Sequence, residues 1–344
     1  MRILHVANFN LRKYGADLYA TDRKISAGLQ RCGHFVYDFS YRDVCRGESL
    51  FRTTRFGGGQ VNRRLQKACT ILQPHLLLLG HSELISADTL AAIRKNQPEI
   101  KIGLWYVDAL FHRDKTAHLF ARLAHIDVVF ATTGGTYLQE YASATSSAAF
   151  IPNMVDPAIE SEKSFAAPAY DHDFIFCGRD ENDQQRQDFM TSLKHQAGKH
   201  LRCAFRGCLG NAPVTGAGYL DFLSRSKMAL NISRRNDVTL YSSDRLAQLV
   251  GNGLLTFCPR VPGLERLFSD AEVVYFDNLD DLLTKIVYYH THDDACRTIA
   301  RQGWQRAHRC YNNERVCRFM LELLFDSPFS SDYEWLDEVY RRSS

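Results

Sequence analysis

Residues 1–39 have the sequence MRILHVANFNLRKYGADLYATDRKISAGLQRCGHFVYDF, and the order of patterns within it determines the fold class. Residues 3–7 form a short apolar run that ends in a polar turn at residues 8–15. The residues that follow place apolar side chains at helical spacing: Leu18, Ile25, Leu29 and Cys32. Residues 35–39 are a second run of β-branched and aromatic residues. Strand, helix and strand in this order predict a right-handed parallel βαβ unit.

The same alternation of apolar strands and helices recurs along the whole chain. Further strands are predicted at residues 76–79, 102–107, 128–131, 174–177, 201–206, 228–232, 254–257 and 273–276. Continuous apolar strands separated by helices are typical of parallel sheets that are covered on both faces. Residues 151–169 lose this periodicity and contain three prolines, which indicates a domain boundary. We expect residues 1–165 and 166–315 to form two doubly wound α/β domains, followed by a helical tail at residues 316–344.

The charged residues nearly balance, with 42 Lys and Arg against 39 Asp and Glu and a formal net charge of +3. No polybasic arm or acidic tail is present, which argues against a dedicated nucleic-acid-binding protein. The longest purely aliphatic stretch, at residues 76–79, is far shorter than the roughly 20 apolar residues of a membrane-spanning helix. The apolar run at the amino terminus is shorter than the roughly 7–15 residues of a signal-peptide core. We therefore expect a cytoplasmic protein.

The ten cysteines include no Cys-x-x-Cys pair, and the two closest are Cys203 and Cys208. This spacing matches neither a zinc site nor a disulfide framework. We expect the cysteines to be small buried hydrophobic residues, and we expect no metal site.

The candidate site residues follow strands, because open parallel sheets bind ligands beyond the carboxyl ends of their strands. Gly178 and Arg179 leave the strand predicted at residues 174–177 and precede a helix. Backbone N–H groups at such a turn, together with a guanidinium group, suit a phosphate. The alternative is an ordinary turn in which Arg179 pairs with a neighbouring acidic residue.

A second group of polar residues surrounds the start of the helix that carries Gln248. Its members supply hydroxyl and guanidinium groups: Ser233, Arg234, Tyr241, Ser242, Ser243 and Arg245. Serines at a helix start are first of all capping residues. A cation in the first turn, however, opposes the helix dipole unless an anion lies nearby. The two loops therefore predict a diphosphate site, and the alternative is a cluster of solvated arginines.

Three further polar residues follow strands of the amino-terminal half. Asp108 stands after residues 105–107, where a carboxylate would act as a base or orient a sugar hydroxyl. His81 and Asp17 hold equivalent positions after other strands and are candidates for contacts with an acceptor. Each of the three would alternatively cap the next helix. The chain has no Gly-x-Gly-x-x-Gly after its first strand, no P-loop and no Gly-x-Ser-x-Gly elbow, so dinucleotide enzymes, P-loop NTPases and α/β-hydrolases are not supported.

Several motifs together resemble a known family. In the carboxyl-terminal half they are LNI at residues 230–232, SDRLAQ at 243–248 before Gly253, PGLERLF at 262–268 and VVYFD at 273–277. These motifs resemble the donor-binding domain of GT-B glycosyltransferases of the spore-maturation CgeB-like group. WYVD at 105–108 and IPN at 151–153 are similar to a strand end and a linker of that group, and Gly178-Arg179 is similar to the loop that binds donor phosphate in retaining members. One departure is Gln248, which stands where the family has the glutamate that holds the donor ribose.

The resemblance implies a GT-B fold, with two Rossmann-like doubly wound domains facing each other across a cleft. It implies a glycosyltransferase of polysaccharide or glycolipid biosynthesis, with a nucleotide-sugar donor bound by the carboxyl-terminal domain and a glycan, glycolipid or other hydroxyl acceptor bound by the amino-terminal domain. Transfer would need no metal and no cofactor, and the Gly178-Arg179 loop favours retention. Asp108 would orient the acceptor, or deprotonate it in an inverting enzyme. The alternatives are a nucleotide-sugar epimerase and a non-catalytic nucleotide- or sugar-binding protein of the same fold.

The end of the chain carries two further predictions. Its aromatic residues suit docking of the tail on the first domain, or else packing of a terminal helix on its own domain. Arginines recur between residues 301 and 318, at Arg301, Arg306, Arg309, Arg315 and Arg318. An anionic glycolipid or the inner membrane face would attract such a basic surface, and the alternative is that it is solvated.

Overall fold

The computed structural model describes residues 1–48, 53–55, 57–180, 183–199 and 201–342. The chain divides into two compact units. Unit 1 consists of Met1–Pro152 together with Asn313–Ser344, and unit 2 consists of Asn153–Asn312. Each unit is built on a largely or wholly parallel sheet. The predicted α/β fold with two Rossmann-like domains is confirmed.

The elements follow one another in chain order. The strands are β1 (Arg2–Ala7), β2 (Phe35–Ser40), β3 (Leu76–Gly80), β4 (Lys101–Tyr106), β5 (Val128–Ala131), β6 (Ser147–Phe150), β7 (His172–Cys177), β8 (Cys203–Arg206), β9 (Ser226–Leu230), β10 (Leu255–Pro259), β11 (Val274–Phe276) and β12 (Val339–Tyr340). The α-helices are α1 (Thr21–Arg31), α2 (Tyr41–Gly47), α3 (Gly58–Leu72), α4 (Ala87–Asn96), α5 (Arg113–Phe120), α6 (Thr136–Gln139), α7 (Gln184–Ala197), α8 (Ala217–Ser224), α9 (Arg245–Gly251), α10 (Leu279–Thr291), α11 (Asp293–Cys310) and α12 (Asn313–Leu324).

Unit 1 contains a seven-stranded sheet with the order β12-β6-β5-β4-β3-β1-β2. All five residues of the interior strand β3 are buried, which explains why its sequence is a continuous apolar run. Strand β2 forms one edge, and its first residues are exposed. The short strand β12 pairs antiparallel with β6 at the other edge, while the other pairings in this sheet are parallel.

The residues after 312 belong to unit 1 and are only partly helical. Helix α12 packs on α1 at Gly28, where a Cβ atom would collide with the backbone of Asn313. The Asn313 side chain accepts a hydrogen bond from Arg31 at 2.6 Å. Beyond α12, buried Tyr333 and Trp335 pack on Phe319, and the chain ends in β12. The expectation of a helical tail at residues 316–344 is therefore wrong for the final segment, because β6 offers an edge with which it pairs.

Unit 2 contains a five-stranded parallel sheet with the order β11-β10-β9-β7-β8. Residues 153–165 belong to this unit, whereas the sequence placed the boundary after residue 165. The reason is local pairing: the backbone N–H groups of Ser164 and Phe165 donate to Asn252 and Gly253, both at 3.0 Å. Phe165 then packs into the core of unit 2. The loss of periodicity after residue 151 coincides with the end of the first part of unit 1, but the irregular residues 153–165 already belong to unit 2.

Several expectations about the surface and the cysteines can be compared with this structure. All ten cysteines are free, and seven of them are buried. None of the described helices combines the length and the apolar character that crossing a membrane requires. The five arginines between residues 301 and 318 are divided between α11 in unit 2 and α12 in unit 1. Arg315 pairs with Glu334 and Arg318 with Glu314, so part of this basic surface is neutralised.

Candidate functional site

The carboxyl end of β7 supports a pair of guanidinium groups. Arg186, from the first turn of α7, and Arg245, from the first turn of α9, lie over the ring of Phe176 at 5.3 and 4.7 Å from its centroid. Both arginines also donate to the carbonyl oxygen of Ile232, each at 3.2 Å. Two cations from different helices thus share one aromatic ring and one carbonyl group.

Burial leaves this arginine pair electrostatically unsatisfied. Arg186 is only 8% exposed, and burial lowers its pKa from 12.5 to about 10, with the charge of Arg245 adding to the shift. Burial also lowers the pKa of Arg245. Within the described part of the chain, neither guanidinium has a carboxylate at salt-bridge distance, and Nε of Arg186 has no hydrogen-bond partner. Because buried charges are normally paired, the arrangement calls for an anion.

A pocket of about 370 Å³ opens beside Arg186 and is lined by Ser233, Arg234 and Arg235. Two acidic residues, Asp183 and Asp237, also line it, and Asp237 pairs with Arg235. Gly178, on the loop after β7, lies against Arg245 rather than in the lining of this pocket. A Cβ atom at Gly178 would lie 2.5 Å from Nη2 of Arg245 and 2.8 Å from the ring of Phe176, so a larger residue would have to displace this guanidinium. Nε of Arg245 donates to the carbonyl oxygen of Cys177, the residue before this glycine. The structure therefore brings Gly178, Arg245, Ser233 and Arg234 to one end of the sheet.

The hydroxyl groups of this region mainly shape the loops. Oγ of Ser233 accepts a hydrogen bond from the backbone N–H of Ser243 at 3.0 Å. Ser242 is buried, and Nδ2 of Asn153 donates to both its carbonyl oxygen and its Oγ at 3.1 Å. Tyr241 is half-buried, and Arg179 is exposed at the outer end of the β7 loop. The serines consequently hold the two loops together, and their remaining donor capacity is what a ligand would use.

Gln248 is engaged at both ends of its side-chain amide. The hydroxyl of Tyr219 donates to its Oε1 at 3.0 Å, and its Nε2 donates to Oδ2 of Asp244 at 2.8 Å. The other carboxylate oxygen of Asp244, Oδ1, is buried and has no partner among the described residues. One turn before Gln248, this chain thus holds an oriented carboxylate. Asp244 was not singled out from the sequence, where it was only part of a capping motif.

In unit 1 the structure brings His81 and Asp108 together. They follow the neighbouring strands β3 and β4, and Nδ1 of His81 lies 3.7 Å from Oδ2 of Asp108. Burial lowers the pKa of His81, and the Asp108 carboxylate opposes that effect. The side chain of Asp108 is 65% exposed, so it is accessible to a ligand. The pair provides a mainly neutral imidazole beside an open carboxylate, which suits binding and deprotonation of a hydroxyl group.

The turn that carries His81 is conformationally unusual. His81 and Ser82 both have left-handed backbone angles, with φ of 52° and 45°. Arg122, which is 2% exposed, donates from Nη1 to the carbonyl oxygen and Oγ of Ser82 at 2.8 and 2.9 Å, and from Nη2 to the carbonyl oxygen of His81 at 2.9 Å. A fixed, strained turn at a candidate site is typical of a functional position. Arg122 was missed from the sequence, because it lies forty residues beyond the turn that it holds.

Asp17, the third candidate for acceptor contacts, is part of the loop after β1. It accepts hydrogen bonds from Nζ of Lys13 at 2.7 Å and from Nδ2 of Asn10 at 2.9 Å, which fixes the loop after β1. A second carboxylate nearby, Asp22 in the first turn of α1, accepts from the backbone N–H of Asn8 at 2.9 Å. Burial raises the pKa of Asp22 to about 6. The carboxylate with altered acidity in this loop region is therefore Asp22.

The comparisons with known proteins agree with this fold. Residues 184–322 match the family model described as "Glycosyl transferase-like". No curated protein sequence matches the chain. The sucrose-phosphate synthase of Thermosynechococcus elongatus has a TM-score of 0.66 at 12% identity, over 95% of this chain and 99% of that chain. The Anabaena protein Alr3699/HepE in complex with UDP has a TM-score of 0.55 at 12% identity, over 95% and 100% of the two chains.

A third structure bears on one of the alternatives. A protein from Listeria monocytogenes, provisionally described as a UDP-N-acetylglucosamine 2-epimerase, has a TM-score of 0.54 at 12% identity, over 96% of this chain and 98% of that chain. At such identities the likeness establishes the fold, which is that of the GT-B glycosyltransferases, and not the reaction. None of these matches distinguishes the CgeB-like group from other GT-B proteins.

Proposed function

We propose that this chain is a glycosyltransferase that binds a nucleotide-sugar donor in unit 2 and a hydroxyl-bearing acceptor, a glycan or glycolipid, in unit 1. The observation that carries the proposal is the pair of buried Arg186 and half-buried Arg245 on Phe176, which has no carboxylate at salt-bridge distance among the described residues. The "Glycosyl transferase-like" match over residues 184–322 covers both arginines.

The arginine pair accounts for the donor half of the reaction. When the bond between the sugar and the nucleoside diphosphate breaks, negative charge develops on the leaving phosphate. Arg186 and Arg245 are already in place and largely dehydrated, so they stabilise that charge without reorganisation. Arg234 adds exposed positive charge at the pocket, and Arg179 adds it on the loop after β7. We propose on this basis that transfer needs neither a metal ion nor a cofactor.

The His81–Asp108 pair accounts for the acceptor half. Asp108 is accessible and accepts a hydrogen bond from the acceptor hydroxyl, which orients the nucleophilic oxygen. In an inverting reaction the same carboxylate takes the proton of that hydroxyl as the new glycosidic bond forms. We propose the retaining course, for which the support is the similarity of Gly178-Arg179 to the phosphate-binding loop of retaining GT-B enzymes. Asp108 then acts as the orienting group.

The first experiment measures nucleotide binding. The melting temperature is recorded in EDTA with UDP, GDP, dTDP, ADP or CMP. UDP is tested first because a protein of similar fold was solved with it. A ligand at about 100 times its Kd adds about 2.7 kcal/mol to the stability. The proposal expects a selective increase with one nucleotide, which Arg245→Met abolishes and Arg225→Met, an exposed arginine of unit 2, preserves. Equal melting temperatures with all five nucleotides would contradict it.

A second experiment separates the three functional alternatives. The nucleotide sugar that carries the selected nucleotide is incubated with the protein, with and without a pool of glycan and glycolipid acceptors. A transferase releases nucleotide in proportion to acceptor and forms a new glycoside. Conversion of the donor sugar to its epimer without acceptor would replace the proposal by the epimerase alternative. Tight binding without turnover under either condition would replace it by a binding protein.

A further inference from the structure

An apolar groove opens at the edge of the unit 1 sheet, away from the residues that follow β3 and β4. It has a volume of about 620 Å³ and lies between the edge strand β2 and helix α3. Tyr37 and Phe39 line it from the strand, and Ala68, Ile71 and Leu72 line it from the helix. Arg2 of β1 and Val44 of α2 complete the lining, so the groove opens where these elements meet the open sheet edge.

The apolar side chains around this groove are unusually exposed. Ile71 is 72% exposed and Tyr37 is 49% exposed. Phe35 is 57% exposed, and because side chains two residues apart in a strand share a face, it extends the surface of Tyr37. A contiguous apolar surface that is exposed to solvent marks a site of interaction. We refer to Phe35, Tyr37, Ile71 and the groove between them as the edge patch.

The edge patch has a positively charged rim. Arg2, Arg64 and Lys67 line the groove, whereas Glu48 is the one acidic residue among the lining residues described, and it pairs with Arg64 at 2.8 Å. Lys67 is exposed on α3. The sequence shows the same bias on a larger scale: residues 1–75 contain 13 Lys and Arg against 5 Asp and Glu, a net charge of +8 in a chain whose total is +3. The partner of this region is therefore negatively charged as well as apolar.

We propose that the edge patch docks on the surface of a bilayer that contains acidic phospholipids. Ile71, Tyr37 and Phe35 enter the boundary between headgroups and acyl chains, and Lys67 contacts the lipid phosphates. Arg2, which donates to the carbonyl oxygens of Leu72 and Gln73, and Arg64, which pairs with Glu48, add weaker positive potential. Aromatic side chains with basic neighbours are the composition that such an interface binds. A second copy of the chain, related by a twofold axis, would place this basic rim against itself, which disfavours that occupant. The proposal does not rest on the transferase activity.

The test is cosedimentation of the full chain with vesicles of phosphatidylcholine alone or with 30% phosphatidylglycerol. We expect binding only to the acidic vesicles, and weaker binding as the salt concentration rises and screens the charges. One basic side chain at an anionic surface contributes about fivefold to the partition coefficient, so Lys67→Glu, which replaces a cation with an anion, is expected to lower it about 25-fold. Ile71→Asp is expected to lower it further, because it also removes apolar insertion.

Matched controls come from exposed residues elsewhere. Lys115→Glu changes the same charge on α5, and Val287→Asp changes a 50% exposed apolar residue on α10. Both are expected to bind vesicles like the wild type, and circular dichroism verifies that all four variants are folded. Equal binding to neutral vesicles, or equal effects of the controls, would overturn the proposal. Two other results would also overturn it: a concentration-dependent dimer that Ile71→Asp dissociates, and binding to polyglutamate without binding to vesicles.

Discussion

Replacing Arg186 with methionine is expected to stabilise the unliganded protein while weakening its binding of a nucleoside diphosphate. The lowering of the Arg186 pKa from 12.5 to about 10 corresponds to about 3 kcal/mol by which the fold disfavours the charged form. Methionine removes this penalty and keeps an apolar chain against Phe176. It forfeits the hydrogen bond to Ile232, about 1 kcal/mol, and the contact of the cation with the ring, about 1 kcal/mol.

The net gain for the unliganded protein is therefore about 1 kcal/mol. In a unit of about 160 residues this raises the melting temperature by about 2–4 °C. The same substitution is expected to weaken nucleotide binding. Loss of a charge-assisted hydrogen bond, about 1.5–3 kcal/mol, raises Kd about 10- to 150-fold. A nucleotide concentration that adds about 2.7 kcal/mol to the wild type then adds only about 0.3–1.4 kcal/mol to the variant.

Calorimetric melting and titration calorimetry with UDP, or with the nucleotide that the screen selects, measure both quantities. Arg202→Met is the matched control, because Arg202 is an exposed arginine of the same unit that pairs with Asp173 at 2.7 Å. We expect this control to lower the melting temperature and to leave Kd unchanged. If Arg186→Met instead lowers the melting temperature and leaves Kd unchanged, Arg186 is a structural residue and the anion-site argument fails.

Three further predictions concern unit 1. Arg122→Met removes the donors that hold the His81 turn. We expect it to lower the free energy of unfolding by about 2–4 kcal/mol, measured by denaturant titration, and to reduce kcat without changing donor Kd, measured by kinetics. Asp108→Ala, which removes the hydrogen-bond acceptor, is expected to reduce transfer about 100-fold through loss of orientation and to lower the pKa of His81 further, as followed by imidazole NMR. A fully active variant would remove Asp108 from the mechanism. The pKa of Asp22 is raised in the fold from 3.8 to about 6, so its contribution to stability is complete below pH 4 and is lost as the pH rises to about 6. Asp22→Asn is therefore expected to raise stability at pH 7 by about 2–3 kcal/mol and to flatten the pH dependence between pH 4 and 6; a variant with the wild-type pH profile would refute this.

The sequence predicted those elements of the fold whose own side chains show the pattern of their burial. Strand β3 is buried on both faces, so its leucines reveal it directly. Strand β12 is two residues long and exists because β6 presents an open edge, so no local pattern of residues 339–340 could have indicated it. The domain boundary was displaced for a similar reason, because residues 153–165 are irregular and are held by backbone pairing with residues 252–253.

The residues of the candidate site could likewise be predicted only where a local sequence pattern marks them. His81 and Asp108 were found because the carboxyl ends of neighbouring parallel strands meet at one edge. Arg186 was missed although it carries the signal that identified Arg245, a cation in the first turn of a helix. Arg122 carries no such signal, since its partners are backbone and hydroxyl oxygens that only the tertiary fold brings near.

The arginines of unit 2 show why the pair on Phe176 points to a ligand. Arg202, Arg225 and Arg235 are exposed, where charges need no partner, and yet each forms an ion pair with an aspartate. Arg186 and Arg245 are largely withdrawn from water, where charges need a partner most, and no described carboxylate provides one. Arg122 of unit 1 is also buried without a carboxylate, but its guanidinium donates to four oxygens of His81, Ser82 and His118, whereas Nε of Arg186 has no partner among the described residues. Under the proposed function, the diphosphate of the donor supplies the counter-charge of this pair.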